Sequence, residues 1–413
     1  MSAGVLAPAT LSRQVILLVA LGFGVMFASS AIKSIYQVYF SDLANNFGKS
    51  RGDFAWSGAL FVLVIGIASP VVGALSDRVG PLRTVLIGSL VAGLTLTGVA
   101  LWPSDFWVFM VLYGLGAAFA LAAMTYVPMG VLVDRLFEQR KKGLAYAIVT
   151  NGTSVGFIVL SPLWIWLQPQ LGWTKVFLAV GLVFIGPLAG LIWLAARQPL
   201  PPMPVAEQQD KAANWHAVLT DPGFYILAIG FIGCGATMAF VDVHLIPFWQ
   251  DGGTRRVDMG ASMSLLGVLE LISGIAAGWL ATRFDKHTLL TGFYVLRGLA
   301  MLTLLSGLTQ VHTYGFAALF GISYLGTVVL TSAYCFERYG HAIKGQVFGL
   351  LFMIHQFGAF ASVQLGALGF DRYGSYQPTI LALSALTLVA AVASWQLPAD
   401  RLPDSMAPLA RPT

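Results

Sequence analysis

The sequence predicts an all-α membrane protein: twelve transmembrane helices in two pseudo-symmetric six-helix bundles. Three observations carry that expectation. Of the 413 residues, 57% are apolar and 10% charged, against about 25% charged in an ordinary soluble domain. Stretches apolar and long enough to cross a bilayer recur twelve times, and at about 20–25 residues each they consume most of the chain. Finally, the twelve divide six and six around one polar, proline-rich break. A large soluble domain does not fit between such segments, and nucleic-acid binding is excluded as a main role.

The first six segments fall at about 14–40, 53–76, 83–101, 106–134, 142–168 and 173–196. Segment one is not expected to be a cleaved signal. It is too long, has no small-residue cleavage site and runs on into Lys33 and Tyr36. The break from Arg197 to Asp221 holds Pro199, Pro201, Pro202 and Pro204 and the polar run Glu207 to Lys211, which reads as a loop. Expected boundaries are 1–197 for an N-terminal bundle, 198–221 for a cytoplasmic linker and 222–413 for a C-terminal bundle with a short tail. Segments seven to twelve fall at about 223–249, 259–283, 288–310, 313–336, 343–370 and 375–396. Pro162 and Pro247 are expected to kink their helices, and Gly152-x-x-x-Gly156 to let helices approach closely. The only cysteines, Cys234 and Cys335, lie in apolar stretches and imply no disulfide framework.

Orientation follows from the cations. With the N-terminus inside, fifteen fall on cytoplasmic positions: Arg13, Arg78, Arg83, Arg135, Arg140, Lys141, Lys142, Arg197, Lys211, Arg283, Lys286, Arg338, Lys344, Arg401 and Arg411. Six fall outside: Lys49, Arg51, Lys175, Arg255, Arg256 and Arg372. The excess favours both termini inside, with Lys33 and Arg297 left within spans. The pI near 9.2 therefore reflects topology and not a polyanionic partner.

The halves repeat weakly. Gly22-Phe23 resembles Gly230-Phe231, the Gly73–Arg83 junction resembles Gly278–Lys286, and Gly143–Gly156 resembles Gly345–Gly358. Two like bundles facing a central cavity are what a rocking transporter needs. The junction, with Gly73, Asp77, Arg78, Gly80 and Arg83, also resembles the signature between helices two and three of the major facilitator superfamily. In physical terms, Gly73 allows close helix contact, Asp77 can cap or pair at a helix end, and the arginines hold the cytoplasmic face. These five residues are the expected gating motif.

Within that superfamily the chain resembles the bacterial monocarboxylate-transporter-like branch through Lys33-Ser34-Ile35 in segment one. The resemblance implies that Lys33 handles anions and protons. Segment eight of that family carries an Asp followed four residues later by Arg. Counted back from Gly278, these positions are Glu270 and Gly274, so the carboxylate is present and the arginine missing. His244-Leu-Ile-Pro247, Tyr294-Val-Leu-Arg297 and His355-Gln356 are similar to stretches in bacterial members.

An ionisable group at mid-membrane costs about 2.5–3.5 kcal/mol even on lenient scales, so each asks for a partner or a wet cavity. Lys33, Asp242, Glu270 and Arg297 are such groups. Lys33 either snorkels outward or binds a carboxylate. Glu270, Asp242 and His244 are the candidate proton carriers. Arg297 either pairs with Glu270 or replaces the missing arginine as a substrate clamp, a task its two parallel donors suit. Tyr36, Asn151, His355 and Gln356 complete the candidate binding set, although Tyr36, Tyr126, Tyr324 and Tyr334 read as packing or interface aromatics rather than substrate stackers. No phosphate-binding loop, metal spacing or nucleophile turn occurs, so neither an enzyme, a metal site nor a cofactor is expected, and the proton gradient supplies the drive.

The expected function is secondary transport of a small organic anion, monocarboxylate-like, with a proton, by alternating access. The expected setting is a bacterial cytoplasmic membrane, and the expected form a monomer. A proton-coupled exporter of a larger or cationic compound is the alternative, and a non-transporting membrane sensor a minor one.

Overall fold

The structure is a computed structural model and describes residues 13–137, 139–198, 200 and 215–398. Most of the expected linker, with Lys211, lies outside the described residues. So do Arg401 and Arg411 of the tail and the side chains of Arg140, Lys141, Lys142 and Lys344. Among the described residues, twelve helices are long and apolar enough to span a membrane: α1 Arg13–Asn46, α2 Arg51–Val79, α3 Pro81–Leu101, α4 Phe106–Leu136, α5 Leu144–Leu167, α6 Trp173–Ala196, α7 Pro222–Val243, α8 Arg256–Leu280, α9 Lys286–Ser306, α10 Gln310–Tyr339, α11 Val347–Tyr373 and α12 Gln377–Trp395. Large apolar side chains such as Leu94, Trp107, Ile275, Leu365 and Val392 stand exposed on the outer surface, as lipid contact requires.

Helix starts are set by capping groups where the sequence supplies them. Ser50 accepts from the Asp53 amide at 3.1 Å, Asp105 from Trp107 and Val108 at 2.8 and 3.1 Å, and Asp221 from Gly223 at 3.1 Å. Between α2 and α3 the turn is made by Gly80, at φ +93°, whose amide bonds Ser76 and whose carbonyl receives Thr84. A side chain there would be strained. The cap expected of Asp77 is thus supplied by Gly80, while Asp77 itself is exposed.

Pro247 cannot donate to the carbonyl of Val243, and α7 ends there. After a single break at His244 the chain resumes as a short helix, Leu245–Asp251. Pro162, by contrast, lies within an unbroken helix. The weak repeat becomes visible in the helix crossings. In the N-terminal bundle α5 meets α1 at Gly152 and Gly156, where an added Cβ would lie 2.8 Å from Met26 Cβ and 2.6 Å from the Phe27 carbonyl. In the C-terminal bundle α11 meets α7 through Gly235 and Gly358, against the backbones of His355 and Ile232. An aromatic column fills the N-terminal bundle: Tyr113 stacks on Tyr36 at 4.8 Å, on Phe61 at 4.9 Å and on Phe109 at 5.3 Å.

Candidate functional site

Connections alternate between two faces of the molecule. The odd-loop face carries those after α1, α3, α5, α7, α9 and α11, and the even-loop face carries the others. Among the described residues, hydrogen bonds between the bundles run from the middle of the spans to the odd-loop face only. There Arg51, at the start of α2, makes a two-pronged ion pair with Asp251 at 2.6 and 2.8 Å. Arg51 also reaches the Tyr376 hydroxyl at 3.2 Å and covers the Phe370 ring at 3.9 Å. Asp371, near the end of α11, accepts from the Arg51 and Gly52 amides at 3.1 and 2.7 Å, placing a carboxylate on the positive end of α2. Gln364 donates to the Gly52 carbonyl at 3.0 Å, and Gln250 to Gln168 at 3.1 Å. The odd-loop face is closed.

Deeper in, Lys33 of α1 is ion-paired with Asp242 Oδ2 of α7. The two residues are 209 positions apart, and the pair joins the two bundles. Gln37, one turn further along α1, donates to the Val241 carbonyl at 2.5 Å. The Tyr324 hydroxyl of α10 reaches Asp242 Oδ1 at 3.5 Å. Beside the pair lies a cavity lined by Lys33, Tyr36, Gly58, Phe61, Val62, Tyr113, Ala239, Asp242 and Val243. Its 20 Å³ of space for a water-sized sphere holds one water and no organic solute.

A second polar link crosses between the bundles nearby. Glu270 is buried in α8 and its Oε1 accepts from Ser154 Oγ of α5 at 3.0 Å. Ser264 donates to the Ile158 carbonyl at 2.8 Å on the same pair of helices. Lys33, Asp242 and Glu270 thus stand at the seam where the two halves meet.

The other candidates are placed elsewhere. Arg297 does not pair with Glu270. It is fully buried inside the C-terminal bundle, bonded to Cys234 Sγ at 2.9 Å, to the Ser323 and Tyr324 carbonyls and to Thr327 Oγ1. His244 is fully buried at the α7 break, with Nε2 on the Val363 carbonyl at 2.8 Å and its ring among Phe40, Phe240 and Tyr376. His355 is buried against Phe231 and Phe352, its Nδ1 at 3.0 Å from Gln356 Oε1, and Gln356 spans the seam to the Val62 carbonyl at 3.4 Å. Tyr36 lines the cavity, but its hydroxyl is held by Ser57 at 3.0 Å. Asn151 is half-buried on α5 near Ser154. Where the family pattern has an arginine, Gly274 packs on Leu325, 3.4 Å from where a Cβ would stand. On the even-loop face Asp77, Arg78 and Arg83 are exposed and unpaired among the described residues, and Gly73 meets only Val127 of its own bundle.

Two clusters had no counterpart in the sequence reading. One is the gate of Arg51, Asp251 and Asp371. The other lies at the even-loop end of the C-terminal bundle, where Asp221 accepts two 2.6 Å bonds from Arg338 and one of 2.7 Å from Tyr339. Burial opposes the charge on Asp221, but Arg338, Tyr339 and the Gly223 amide outweigh it and hold the carboxyl below the usual carboxylate range. The sequence showed Arg51 and Arg338 only as topology charges.

Twelve spans in two repeated bundles, with ionisable groups paired or buried where the bundles meet, define an integral, multi-pass membrane transport protein. The family model of the Major Facilitator Superfamily matches residues 19–363, and the chain belongs to that family. It is 28% identical over 357 residues to an uncharacterized MFS-type transporter, YcxA, of Bacillus subtilis (strain 168), covering 84% of this chain and 86% of that one. Monocarboxylate transporter 12-B of Danio rerio is 24% identical over 405 residues, covering 89% and 83% of the two chains. The fold is similar to that of a bacterial homolog of the human lysosomal transporter Spinster in an inward-facing, occupied conformation. That likeness has a TM-score of 0.76 at 12% identity and covers 92% of this chain and 95% of that one. The substrate of such a transporter is a small molecule.

Proposed function

We propose that the protein carries a small organic anion, monocarboxylate-like, together with a proton by alternating access. The observation that carries this reading is the Lys33–Asp242 pair, a cation held between the bundles by a carboxylate on the opposite half. A substrate carboxylate can take the place of Asp242 on Lys33. Asp242, or the neighbouring Glu270, then takes up a proton, and the site crosses the membrane without an uncompensated charge. Exchange of that partner removes a bond between the bundles, which frees them to rock.

On this reading both termini and the even-loop face are cytoplasmic, the closed odd-loop face is the outer one, and the protein works as a monomer in a bacterial cytoplasmic membrane. The distant monocarboxylate transporters support the substrate class. The test is uptake of labelled lactate, pyruvate and longer carboxylates into proteoliposomes under an inward proton gradient. Native protein is expected to accumulate a carboxylate, and Lys33→Ala, folded, to accumulate none. Normal uptake by that variant defeats the scheme. A second reading, export of a larger or cationic compound, is favoured by Gly274 and the sequestered Arg297, which leave Lys33 the only cation lining the cavity among the described residues. Proton-driven efflux of a cationic dye, with every acid refused, is the result that selects it.

A further inference from the structure

Arg297 is the largest charged side chain wholly inside the C-terminal bundle, and no described carboxylate neutralises it. Its Nη2 instead donates to the Ser323 carbonyl, to the Tyr324 carbonyl at 2.9 Å and to Thr327 Oγ1 at 3.2 Å. A helix carbonyl has a second lone pair beyond its helical bond, so a guanidinium can seize two successive carbonyls without unwinding the turn. The turn so gripped is the one that bears Tyr324. From it the Tyr324 ring crosses to α7, where its hydroxyl donates to Asp242 Oδ1 at 3.5 Å, while Lys33 holds Oδ2. A chain of contacts therefore leads from α9 through α10 and α7 to α1.

We propose that Arg297 is a positioning residue: it fixes the turn of α10 that aims the Tyr324 hydroxyl at Asp242. The hydroxyl stays on the carboxylate when Lys33 departs, and so governs how readily Asp242 accepts a proton. This rests on the proposed function for the task it gives Asp242, but not for the geometry. The other groups facing Asp242 are Lys33 and Tyr36 on α1, Tyr113 and Tyr126 on α4 and Glu270 on α8. None of these bonds to Arg297 or to the Tyr324 backbone.

The experiment needs no substrate. The full-length purified chain carrying Lys33→Ala represents the released carboxylate. Infrared difference spectra over a pH series follow the protonated-carboxyl band that disappears when Asp242→Asn is added. A hydrogen bond to the ionised form, lost in Tyr324→Phe, should move the midpoint of that band to higher pH by about 1 unit, the weak end for a bond to a charged group because this one is long. Arg297→Gln should move it in the same direction, and the double variant no further than either alone. A plain Coulombic effect of Arg297 would persist without the hydroxyl, so additive shifts overturn the proposal. So does an unmoved midpoint in Tyr324→Phe.

Cys234→Ser, which spares the carbonyl bonds, should leave the midpoint in place. Should Arg297→Gln not fold, Arg297→Lys decides: a smaller shift of the same sign, absent in the Tyr324→Phe background, is expected. No shift, or one that adds, overturns the link. Proton-driven lactate uptake by the native chain is scored separately. Its absence with the infrared shifts intact would remove the proposed substrate and leave the role of Arg297 standing.

Discussion

Replacing Arg51 by Gln should open the odd-loop face. The substitution removes the two bonds to Asp251, the bond to the Tyr376 hydroxyl and the cover over Phe370. It leaves the Arg51 and Gly52 amides bonded to Asp371, because those belong to the backbone. The Arg51 side chain is 14% exposed and that of Asp251 39%, so the ion pair is partly screened and contributes about 0.5–1 kcal/mol. Cation–π contact adds about 0.5–1 kcal/mol and the tyrosine bond a similar amount. The sum is about 2 kcal/mol in favour of the closed face, roughly a 30-fold change in the ratio of closed to open forms. Spin labels at Asp53 and Tyr373, both exposed, would report the distance across the gate once Cys234 and Cys335, both buried, are replaced. The expected outcome is a longer-distance population in Arg51→Gln, none in the parent and none in Lys49→Gln, whose cation lies over Phe106 of its own bundle. An unchanged distance distribution in Arg51→Gln would refute the assignment of these contacts as the gate.

Two further predictions concern stability. Asp221→Asn removes the carboxylate that takes two bonds from Arg338 and should cost about 1.5–3 kcal/mol, read as a lowered Tm in detergent. The folded carboxyl titrates below the usual range, so the pair's contribution is complete above about pH 4 and fades as pH falls through the lower folded value. The Tm of the native chain should drop on that acid limb, and the variant's should follow a flatter course. A variant with native Tm and the native acid limb would count against the pair. Gly181→Ala places a Cβ 2.5 Å from Thr97 Oγ1 and 2.8 Å from the Thr97 amide, where α6 crosses α3. Because backbone is in the way, about 1–3 kcal/mol of destabilisation is expected, and an unaltered Tm would show that the crossing can spread freely.

The number and limits of the spans were legible because a bilayer imposes a length and an apolarity that each helix must meet alone. The α7 break was foreseeable at Pro247, since a missing amide is a local fact. The partnership of Lys33 with Asp242 was half legible: both are ionisable and lie at similar depth, but so are Glu270 and Arg297. What separated them was the packing of α9, which turns Arg297 into α10 and away from α8. The gate was not legible at all: Arg51 counted only as an outside cation, and nothing local marks Asp251 or Asp371 as its partners until α2, α11 and the short helix after α7 converge.

The sequence by itself determined the helices, their grouping into two repeated bundles and the few charges that a membrane interior must explain, since hydrophobic length and desolvation cost act residue by residue. Which charge answers which, which face is shut and which carbonyls satisfy a buried arginine were decided only by the tertiary structure. Those contacts join residues from 26 to more than 300 positions apart, and only the packing of helices brings them within the 3 Å reach of a hydrogen bond.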